Sequence, residues 1–412
     1  MFIIYNFLLF LIILISPVII LIRLFLGKED QNRFKEKYGF FSKKKNDYET
    51  VWIHGASVGE IFSIIPIIKK FEKDKKVKRI LITSSTISSS HILSKFKFKK
   101  TIHQFYPFDL NFLTKHFINY WKPKIAIFVD SEIWPNMYNN LNKNNIPLIL
   151  LNARITNKSF KRWKFFPNFS KKVFKTISLA LPQNIETKKY LKLLGTKNIK
   201  FVGNLKYFGE TYKRNINSRI LKKRFSNRVI FCAASTHKKE ELFIGKLHKQ
   251  LKSEIKNLVT IIIPRHINRK KEIVEELNKI GLNSQLHTAS KNLKKNTDIY
   301  LVDTYGESLK FFSLTKITFM GGSLIPHGGQ NPIESAREGN YILYGPYIDN
   351  FKEVYKTLDK LKITTRVNSL KNMKSAVLNK IYFLQSNSAN KKLKYLGDKI
   401  LNKNLFEIKK FI

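Results

Sequence analysis

The sequence predicts an α/β protein with two doubly wound parallel-sheet domains and an apolar amino-terminal helix. Three observations lead to this class. Residues 2–22 carry no charge, apolar segments alternate with helix-like segments from residue 51 onwards, and a polar, basic stretch at residues 208–227 interrupts the alternation. Strand–helix alternation is typical of parallel sheets covered by helices on both faces. We therefore expect two domains that face each other across a cleft.

The amino-terminal segment has the length and composition of a membrane helix. Residues 2–22, at about 1.5 Å per residue, span roughly the 30 Å of hydrocarbon in a bilayer. The first charge, Arg23, follows the apolar segment, whereas a cleaved signal peptide begins with a basic region. Further basic residues follow, so the remaining chain is expected in the cytoplasm. We predict a single-pass anchor over residues 1–26; the alternative is a helix in the membrane plane, and Pro17 can kink it.

Apolar segments of strand length predict the two sheets. In the first domain they are residues 51–54, 80–84, 101–106, 125–129, 148–151, 177–181 and 201–202. In the second domain they are residues 229–233, 259–263, 299–302, 317–320 and 341–344. The predicted boundaries are a first domain at 27–207, a linker at 208–227, a second domain at 228–395 and a carboxyl-terminal helix at 396–412.

The chain is strongly basic, with 76 Lys and Arg against 29 Asp and Glu and a net charge of +47. Such a charge favours nucleic acid or an anionic membrane surface as a partner. The lysines are spread along the chain beside abundant Asn, Ile and Phe, as the codon bias of an AT-rich genome would produce. No arginine-rich tail or zinc-knuckle spacing occurs, so no nucleic-acid partner is predicted. Residues 157–175 mix cations with aromatic side chains, which suits a membrane surface or, alternatively, a solvated basic helix face.

Residues 52–60, W-I-H-G-A-S-V-G-E, form a strand-to-helix turn of the kind that often carries reactive groups. A phosphate-binding loop would need Lys and Ser or Thr after its last glycine, and these are absent. The sequence matches the G-x-S-x-G turn of serine hydrolases, but no earlier strand is available for the oxyanion hole, so a hydrolase using Ser57 remains only an alternative. In the third interpretation a helix begins at Glu60, and this carboxylate at the carboxyl edge of the sheet is a general base.

Polar side chains follow four successive strands of the second domain. They lie at residues 235–237, 265–266, 303–307 and 321–323. Ligands of parallel sheets bind at the carboxyl ends of the strands, so four such ends predict a ligand site.

The segment P-H-G-G-Q-N-P-I-E-S-A, residues 326–336, indicates that this ligand carries phosphate. Asn331 is predicted as an N-cap and Pro332 as the first helical residue, which leaves free amides at the positive end of a helix dipole. Arg265 can add a charge-assisted hydrogen bond to the same anion, and Glu334 can accept from a ribose diol. The alternative is a capped helix after a flexible loop.

The remaining candidates are acids and imidazoles. Glu132, in D-S-E-I-W-P-N at residues 130–136, is either a capping carboxylate of the next helix or a second acid near Glu60. Metal-ligand spacing is absent, and histidine beside glycine can bind phosphate. No metal is therefore predicted for the three histidines of the second domain, His237, His266 and His327.

Seven motifs in order resemble those of the 3-deoxy-D-manno-octulosonic acid (Kdo) transferases, membrane-anchored glycosyltransferases of the GT-B type. They are H-G-A-S-V-G-E (54–60), S-E-I-W-P-N (131–136), N-A-R (152–154), G-N-L-K (203–206), A-S-T-H (234–237), P-R-H (264–266) and G-G-Q-N-P-I-E (328–334). The likeness covers nearly the whole chain. It implies two Rossmann-like domains and inverting transfer of Kdo from CMP-Kdo to a lipid A precursor, lipid IVA. It further implies that the reaction needs no metal or cofactor and takes place at the cytoplasmic face of the inner membrane.

The resemblance also implies roles for individual residues. Glu60 would deprotonate the acceptor hydroxyl, and Glu132 would be a supporting acid. The acceptor would contact Ser57, Gly59 and Arg154. The nucleotide sugar would contact a larger set in the second domain, Ser235, Thr236, Arg265, His266, Gly322, Asn331 and Glu334.

Three positions depart from the family pattern. Gln330 stands where the family usually has His, Lys239 where it has Gly, and Ser335 where it has Pro. Gln330 can still donate a hydrogen bond to phosphate, so activity is expected. The nearest alternative function is a membrane-associated GT-B transferase that uses a different nucleotide sugar.

Overall fold

The computed structural model describes residues 1–42, 48–208, 218–290, 292–384 and 387–412. The chain divides into two compact units, each built around one parallel sheet. Unit 1 comprises Met1–Glu210 and Leu396–Ile412, and unit 2 comprises Thr211–Tyr395. The predicted α/β class with two doubly wound sheets is confirmed. Within the predicted linker, Ser218–Arg224 is helical and residues 209–217 lie outside the described residues.

Unit 1 contains a six-stranded parallel sheet of order β3-β2-β1-β4-β5-β6. Its strands are β1 (Thr50–His54), β2 (Arg79–Ser84), β3 (Thr101–Phe105), β4 (Pro123–Val129), β5 (Leu148–Ala153) and β6 (Leu179–Pro182). Its helices are α1 (Phe2–Phe25), α2 (Val58–Lys73), α3 (Ile87–Ser94), α4 (Asn111–Trp121), α5 (Pro135–Lys143), α6 (Asn157–Lys164), α7 (Pro167–Phe174) and α8 (Ile185–Leu194). Large aromatic side chains such as Trp52, Phe117 and Phe128 fill its core.

The order of strands in unit 1 creates a crevice at one place on the sheet edge. The chain runs outward from β1 through β2 to β3 and then returns to the other side of β1 as β4. In such sheets the loops after the two strands at the reversal diverge, and ligands bind between them. His54 at the end of β1 lies in register beside Phe128 of β4. The turn with Glu60 and the segment with Glu132 therefore leave the sheet side by side.

Unit 2 contains a seven-stranded parallel sheet of order β13-β12-β11-β7-β8-β10-β9. Its strands are β7 (Val229–Thr236), β8 (Leu258–Pro264), β9 (Ser284–Leu286), β10 (Ile299–Leu301), β11 (Ile317–Met320), β12 (Tyr341–Tyr344) and β13 (Thr364–Arg366). Its helices are α9 (Ser218–Arg224), α10 (Glu240–Lys252), α11 (Lys270–Lys279), α12 (Ser308–Phe312), α13 (Ile333–Arg337), α14 (Lys352–Lys360) and α15 (Leu370–Lys380). Helix α16 (Asn387–Lys409) begins in unit 2 and ends in unit 1.

The reversal of strand order in unit 2 lies at β7 and β11. Ala234 near the end of β7 pairs with Met320 of β11 on one side and with Ile263 of β8 on the other. The polar loops that follow these three strands therefore meet at one edge of the sheet. This edge is where the sequence predicts a ligand.

The predicted strands agree with the structure except at three short segments. Residues 201–202 are not a strand, because pairing with β6 ends in an isolated bridge at Ile199, and the backbone amide of Leu205 donates to the side chain of Asn152 instead. Strands β9 and β13 were not predicted. Each has three residues at a sheet edge and contains polar side chains, so neither forms an apolar run.

Candidate active site

Glu60 lies in the first turn of α2, which begins at Val58, two residues earlier than predicted. Ser57 is the N-cap and accepts a hydrogen bond from the backbone N–H of Glu60 at 3.4 Å. The carboxylate of Glu60 in turn accepts from the Ser57 hydroxyl and from the backbone N–H of Ala56, both at 2.7 Å. This is a variant of the capping box, whose S-x-x-E spacing is visible in the sequence. The turn therefore fixes the carboxylate, while Ser57 and Gly59 remain exposed beside it.

The surroundings of Glu60 tune its acidity. The pKa of Glu60 is raised to about 7, chiefly by burial and in part by the negative charges of Glu132 and Asp130, while the hydrogen bonds from Ser57 and Ala56 act in the opposite direction. A carboxylate with a pKa near the working pH is a better proton acceptor than an ordinary glutamate. The group is thus suited to remove a proton from a hydroxyl.

The rate of the reaction should depend on pH through this group. A base acts only when deprotonated, so we expect turnover to rise with pH through about 7, with a tenfold decrease for each unit below. The check is the initial rate at saturating substrate between about pH 5.5 and 8.5. A rate that stays constant below pH 7 would contradict the role of Glu60 as base.

Glu132 follows β4 and its side chain points toward β1. Its Oε2 accepts from the indole N–H of Trp134 at 2.9 Å and lies 3.2 Å from Nε2 of the fully buried His54. Nδ1 of His54 is 2.9 Å from the hydroxyl of Thr83, and that hydroxyl already accepts from Trp52 Nε1. Because a carboxylate only accepts, Nε2 of His54 is the donor to Glu132, and the Thr83 hydroxyl donates to Nδ1 while it accepts from Trp52.

The start of α5, which Glu132 was alternatively predicted to cap, is capped by a different carboxylate. The amides of Asn136 and Met137 at the start of α5 donate to Asp109 at 3.0 and 2.8 Å. Asp109 therefore caps this helix and Glu132 does not. The carboxylate of Glu132 instead contacts His54 and Trp134, and its charge acts on Glu60. Sequence reasoning did not identify Asp109, because it is 27 residues away from the helix that it caps.

A third carboxylate, Asp130, completes the acidic side of the crevice. Its backbone is in the left-handed region with φ +63°, and burial raises the pKa of its carboxyl. Lys206 Nζ lies 4.0 Å from its Oδ2, and the backbone N–H of Arg154 donates to its carbonyl at 3.0 Å. The motifs N-A-R and G-N-L-K are thus brought to the same end of the sheet as Glu132. A non-glycine residue with positive φ at a strand end is uncommon, but the sequence alone does not reveal it.

In unit 2, one buried carboxylate holds two of the predicted ligand loops together. Glu240, at the start of α10, is 1% exposed and accepts four backbone N–H bonds. The donors are His237 (3.0 Å), Gly322 (2.7 Å), Ser323 (3.1 Å) and Leu324 (3.0 Å). The amides of the G-G-S loop after β11 therefore bind a carboxylate of the chain itself. This role of Glu240 is not visible in the sequence, because Gly322 lies 82 residues further along the chain.

The imidazoles of unit 2 lie together beside this loop. The rings of His237 and His327 are 4.1 Å apart, those of His237 and His266 are 5.8 Å apart, and Gln330 Nε2 is 3.2 Å from Nε2 of His237. The pKa of His237 is lowered to about 4, chiefly by burial and in part by the neighbouring histidine and arginine side chains. His237 is therefore neutral at pH 7, and the amide of Gln330 donates to its Nε2.

The other predicted nucleotide-binding residues surround this cluster on neighbouring loops. Strand β7 ends with Ser235, whose φ is +55°, and with the buried Thr236. The backbone N–H of Arg265, an exposed residue, donates to the Thr236 carbonyl at 2.9 Å. Helix α13 begins at Ile333, one residue later than predicted, with Pro332 rather than Asn331 as its N-cap. Asn331 instead accepts from the amide of Ile333 at 3.2 Å.

The two other departures from the family pattern have a structural explanation. Ser335 is fully buried, and its hydroxyl lies 3.0 Å from the side-chain amide of Asn340. Lys239 has a left-handed backbone with φ +78°, which explains why glycine suits this position. Its conformation costs a side-chain-bearing residue about 1–2 kcal/mol.

Replacing Lys239 with glycine should stabilise unit 2. We expect Lys239→Gly to raise the free energy of unfolding by about 1 kcal/mol, because the left-handed strain is relieved. The measurement is urea denaturation. Lys238→Gly is the matched control, because Lys238 pairs with Glu272 at 2.8 Å and has no positive φ. The explanation fails if both variants lose stability equally.

Comparisons with known proteins identify the family. The family model for 3-deoxy-D-manno-octulosonic-acid transferase (kdotransferase) matches residues 32–208. A 3-deoxy-D-manno-octulosonic acid transferase of Rickettsia bellii is 35% identical over 366 residues, covering 89% of this chain and 87% of the relative. This chain belongs to the Kdo transferase family. A Kdo transferase of Haemophilus influenzae is 31% identical over 349 residues, covering 82% of this chain and 81% of the relative.

Solved structures of other proteins share the fold of this Kdo transferase. UDP-GlcNAc 2-epimerase from Neisseria meningitidis, bound to UDP-GlcNAc, superposes with a TM-score of 0.59 at 11% identity, covering 87% of this chain and 100% of the epimerase. A MnaA–UDP structure from S. aureus gives 0.54 at 12% identity, covering 88% of this chain and 97% of that chain. These likenesses establish the GT-B fold. Membership of the Kdo transferase family shows that this chain is a glycosyltransferase of lipopolysaccharide biosynthesis.

Proposed function

We propose that this chain transfers Kdo from CMP-Kdo to the glucosamine disaccharide of a lipid A precursor, lipid IVA, with inversion at the anomeric carbon. The observation that carries this proposal is the placement of Glu60, a carboxylate with its pKa raised to about 7, at the reversal point of the unit 1 sheet. Membership of the Kdo transferase family supports the sugar that is transferred.

The chemistry requires one base and one site for the leaving group. Glu60 accepts the proton of the acceptor hydroxyl as its oxygen bonds to the anomeric carbon of Kdo. The bond between that carbon and the CMP phosphate oxygen breaks, and CMP leaves with the electron pair. Arg265 and His266 follow β8 at the carboxyl end of the unit 2 sheet, and in this proposal their cation and imidazole N–H stabilise the departing phosphate.

The other residues have supporting roles in this proposal. His54 and Trp134 hold Glu132, whose charge helps to keep the pKa of Glu60 high. Ser57, Gly59 and Arg154 contact the acceptor in unit 1. The nucleotide sugar is held in unit 2 by a larger set, Ser235, Thr236, Arg265, His266, Gly322, Asn331 and Glu334. The backbone N–H of Gly322 already donates to Glu240, so it does not donate to the phosphate. Gly322 instead allows the nucleotide to approach the backbone closely, because it has no side chain.

The acceptor is a membrane lipid, so we propose that the chain works at the cytoplasmic face of the inner membrane. Helix α1 has 24 residues and, among the described residues, is the helix long and apolar enough to cross a membrane. It is the attachment element of this proposal. The exposed cations of α6 and α7 suit an anionic lipid surface.

The test is a detergent-solubilised reaction containing CMP-Kdo, lipid IVA and a chelator, analysed by mass spectrometry. We expect one or more Kdo mass increments on the lipid and release of CMP. Parallel reactions with other nucleotide sugars test the alternative donor. Transfer from another donor and none from CMP-Kdo would overturn the proposal, and product formation that needs a divalent metal would overturn its metal independence.

A further inference from the structure

We propose that α1 lies flat in the membrane surface, with one side packed against unit 1 and the opposite side in lipid, and does not cross the bilayer. The proposal concerns only this helix and does not depend on the donor or the acceptor. It rests on three sets of contacts along the helix and on the composition of its exposed side.

The first turns of α1 contact Asp109, the start of α5 and helix α7. The Tyr5 hydroxyl donates to Asp109 Oδ2 at 2.8 Å, and the side-chain Nδ2 of Asn136 donates to Asn6 Oδ1 at 2.7 Å. The ring of Phe2 packs edge-on against Phe169 of α7 at 5.0 Å. These contacts place the start of α1 against the same helix α5 that Asp109 caps.

Contacts continue to the other end of the helix. The Ser16 hydroxyl lies 2.8 Å from the Tyr38 hydroxyl, and both Ser16 and Ile20 are buried. Arg23 Nε donates to Glu29 Oε1 at 2.7 Å. Residues 5, 16, 20 and 23 fall on one side of a helix with 3.6 residues per turn, so α1 is attached to unit 1 along its length.

This attachment is incompatible with a membrane-spanning orientation. Tyr5 and Arg23 are separated by about 27 Å along the helix, which is close to the full hydrocarbon thickness. If α1 stood upright, the part of unit 1 between Asp109 and Glu29 would be immersed in hydrocarbon. Exposed cations on unit 1, such as Lys35 and Lys115, would then lose their water at high cost.

The free side of α1 has the composition of a lipid contact. Ile3, Phe7, Leu14, Val18 and Phe25 share the side opposite to Tyr5 and are between 57 and 90% exposed. A contiguous apolar patch of this length indicates a membrane or protein partner. The neighbouring α6–α7 segment favours membrane, because it exposes Phe165 and Phe166 among cations that suit anionic headgroups.

Cysteine labelling from either side of the membrane tests this orientation. The single native cysteine, Cys232, is fully buried, so the unmodified chain provides the unlabelled background. One variant of the full chain carries a cysteine in a short extension before Met1. A second, Ser253→Cys, places a cysteine at an exposed position of unit 2 and reports the side on which the folded units lie.

A flat helix places both cysteines on the same side. We expect a membrane-impermeant maleimide to label both variants in inverted inner-membrane vesicles and neither in intact spheroplasts. Labelling of the extension from the side opposite to Ser253→Cys would show a spanning helix and overturn the proposal. Recovery of the chain in the soluble fraction without detergent would also overturn it, because the apolar side would then be covered by protein instead of lipid.

Discussion

Replacing Glu60 with glutamine is expected to lower the rate of Kdo transfer by about 10³-fold while CMP binding stays unchanged. Glutamine has nearly the same shape and can keep one of the two hydrogen bonds with Ser57 and Ala56, but it cannot accept a proton at neutral pH. The loss should therefore appear in kcat. The measurement is a kcat and KM determination together with calorimetric titration of CMP.

A matched control separates chemistry from folding. Glu49→Gln changes an exposed carboxylate of the same unit whose partner is the surface residue Lys124. Surface pairs of this kind contribute about 0–1 kcal/mol, so this variant should keep full activity. If Glu60→Gln turns over at a near-wild-type rate, the base must be sought elsewhere, with Asp130 the next carboxylate to replace.

Replacing Glu240 should have the largest effect on the proposed nucleotide site. In Glu240→Gln one carboxylate oxygen becomes an NH₂ group that faces backbone donors, so at least two of the four hydrogen bonds to His237, Gly322, Ser323 and Leu324 are lost. Hydrogen bonds to a charged group are worth about 1.5–3 kcal/mol each. We expect CMP affinity to fall by about tenfold or more, because the loops after β7 and β11 lose their common anchor.

Hydrogen exchange distinguishes this local effect from general unfolding. The amides of Gly322, Ser323 and Leu324 should exchange faster in the Glu240→Gln variant, while those in the strands of unit 2 remain protected. Glu254→Gln is the control, because Glu254 forms a surface pair with Lys374 on the same unit. Unchanged exchange together with unchanged CMP affinity would show that Glu240 does not position the loops.

The positions of the strands and of the candidate acids could be predicted from the sequence because both depend on local patterns. Runs such as residues 125–129 are uniformly buried, and the polar residues after them must lie at the carboxyl edge of a parallel sheet. The sequence therefore predicts Glu60 at this edge, with Glu132 either near it or capping the next helix. The edge strand β13 was missed because it lacks this pattern.

The partners of these residues could not be predicted, because they depend on pairings far apart in the chain. His54 reaches Glu132 only through the register of β1 against β4, across 78 residues. Glu240 reaches Gly322 across 82 residues, and Tyr5 reaches Asp109 across 104. Backbone conformation is equally hidden, since the left-handed state of Lys239 leaves no mark on its residue type.

The reversal of strand order occurs once in each of the two sheets, so the two halves of such an enzyme can change separately in evolution. In the proposed function, proton transfer takes place at the edge of one sheet and nucleotide recognition at the edge of another sheet with its own core. With this division of roles, substitutions that alter the donor would fall in unit 2 and would leave the acidity of Glu60 intact. Descendants of this chain can therefore acquire a new sugar nucleotide without rebuilding the machinery that activates the acceptor.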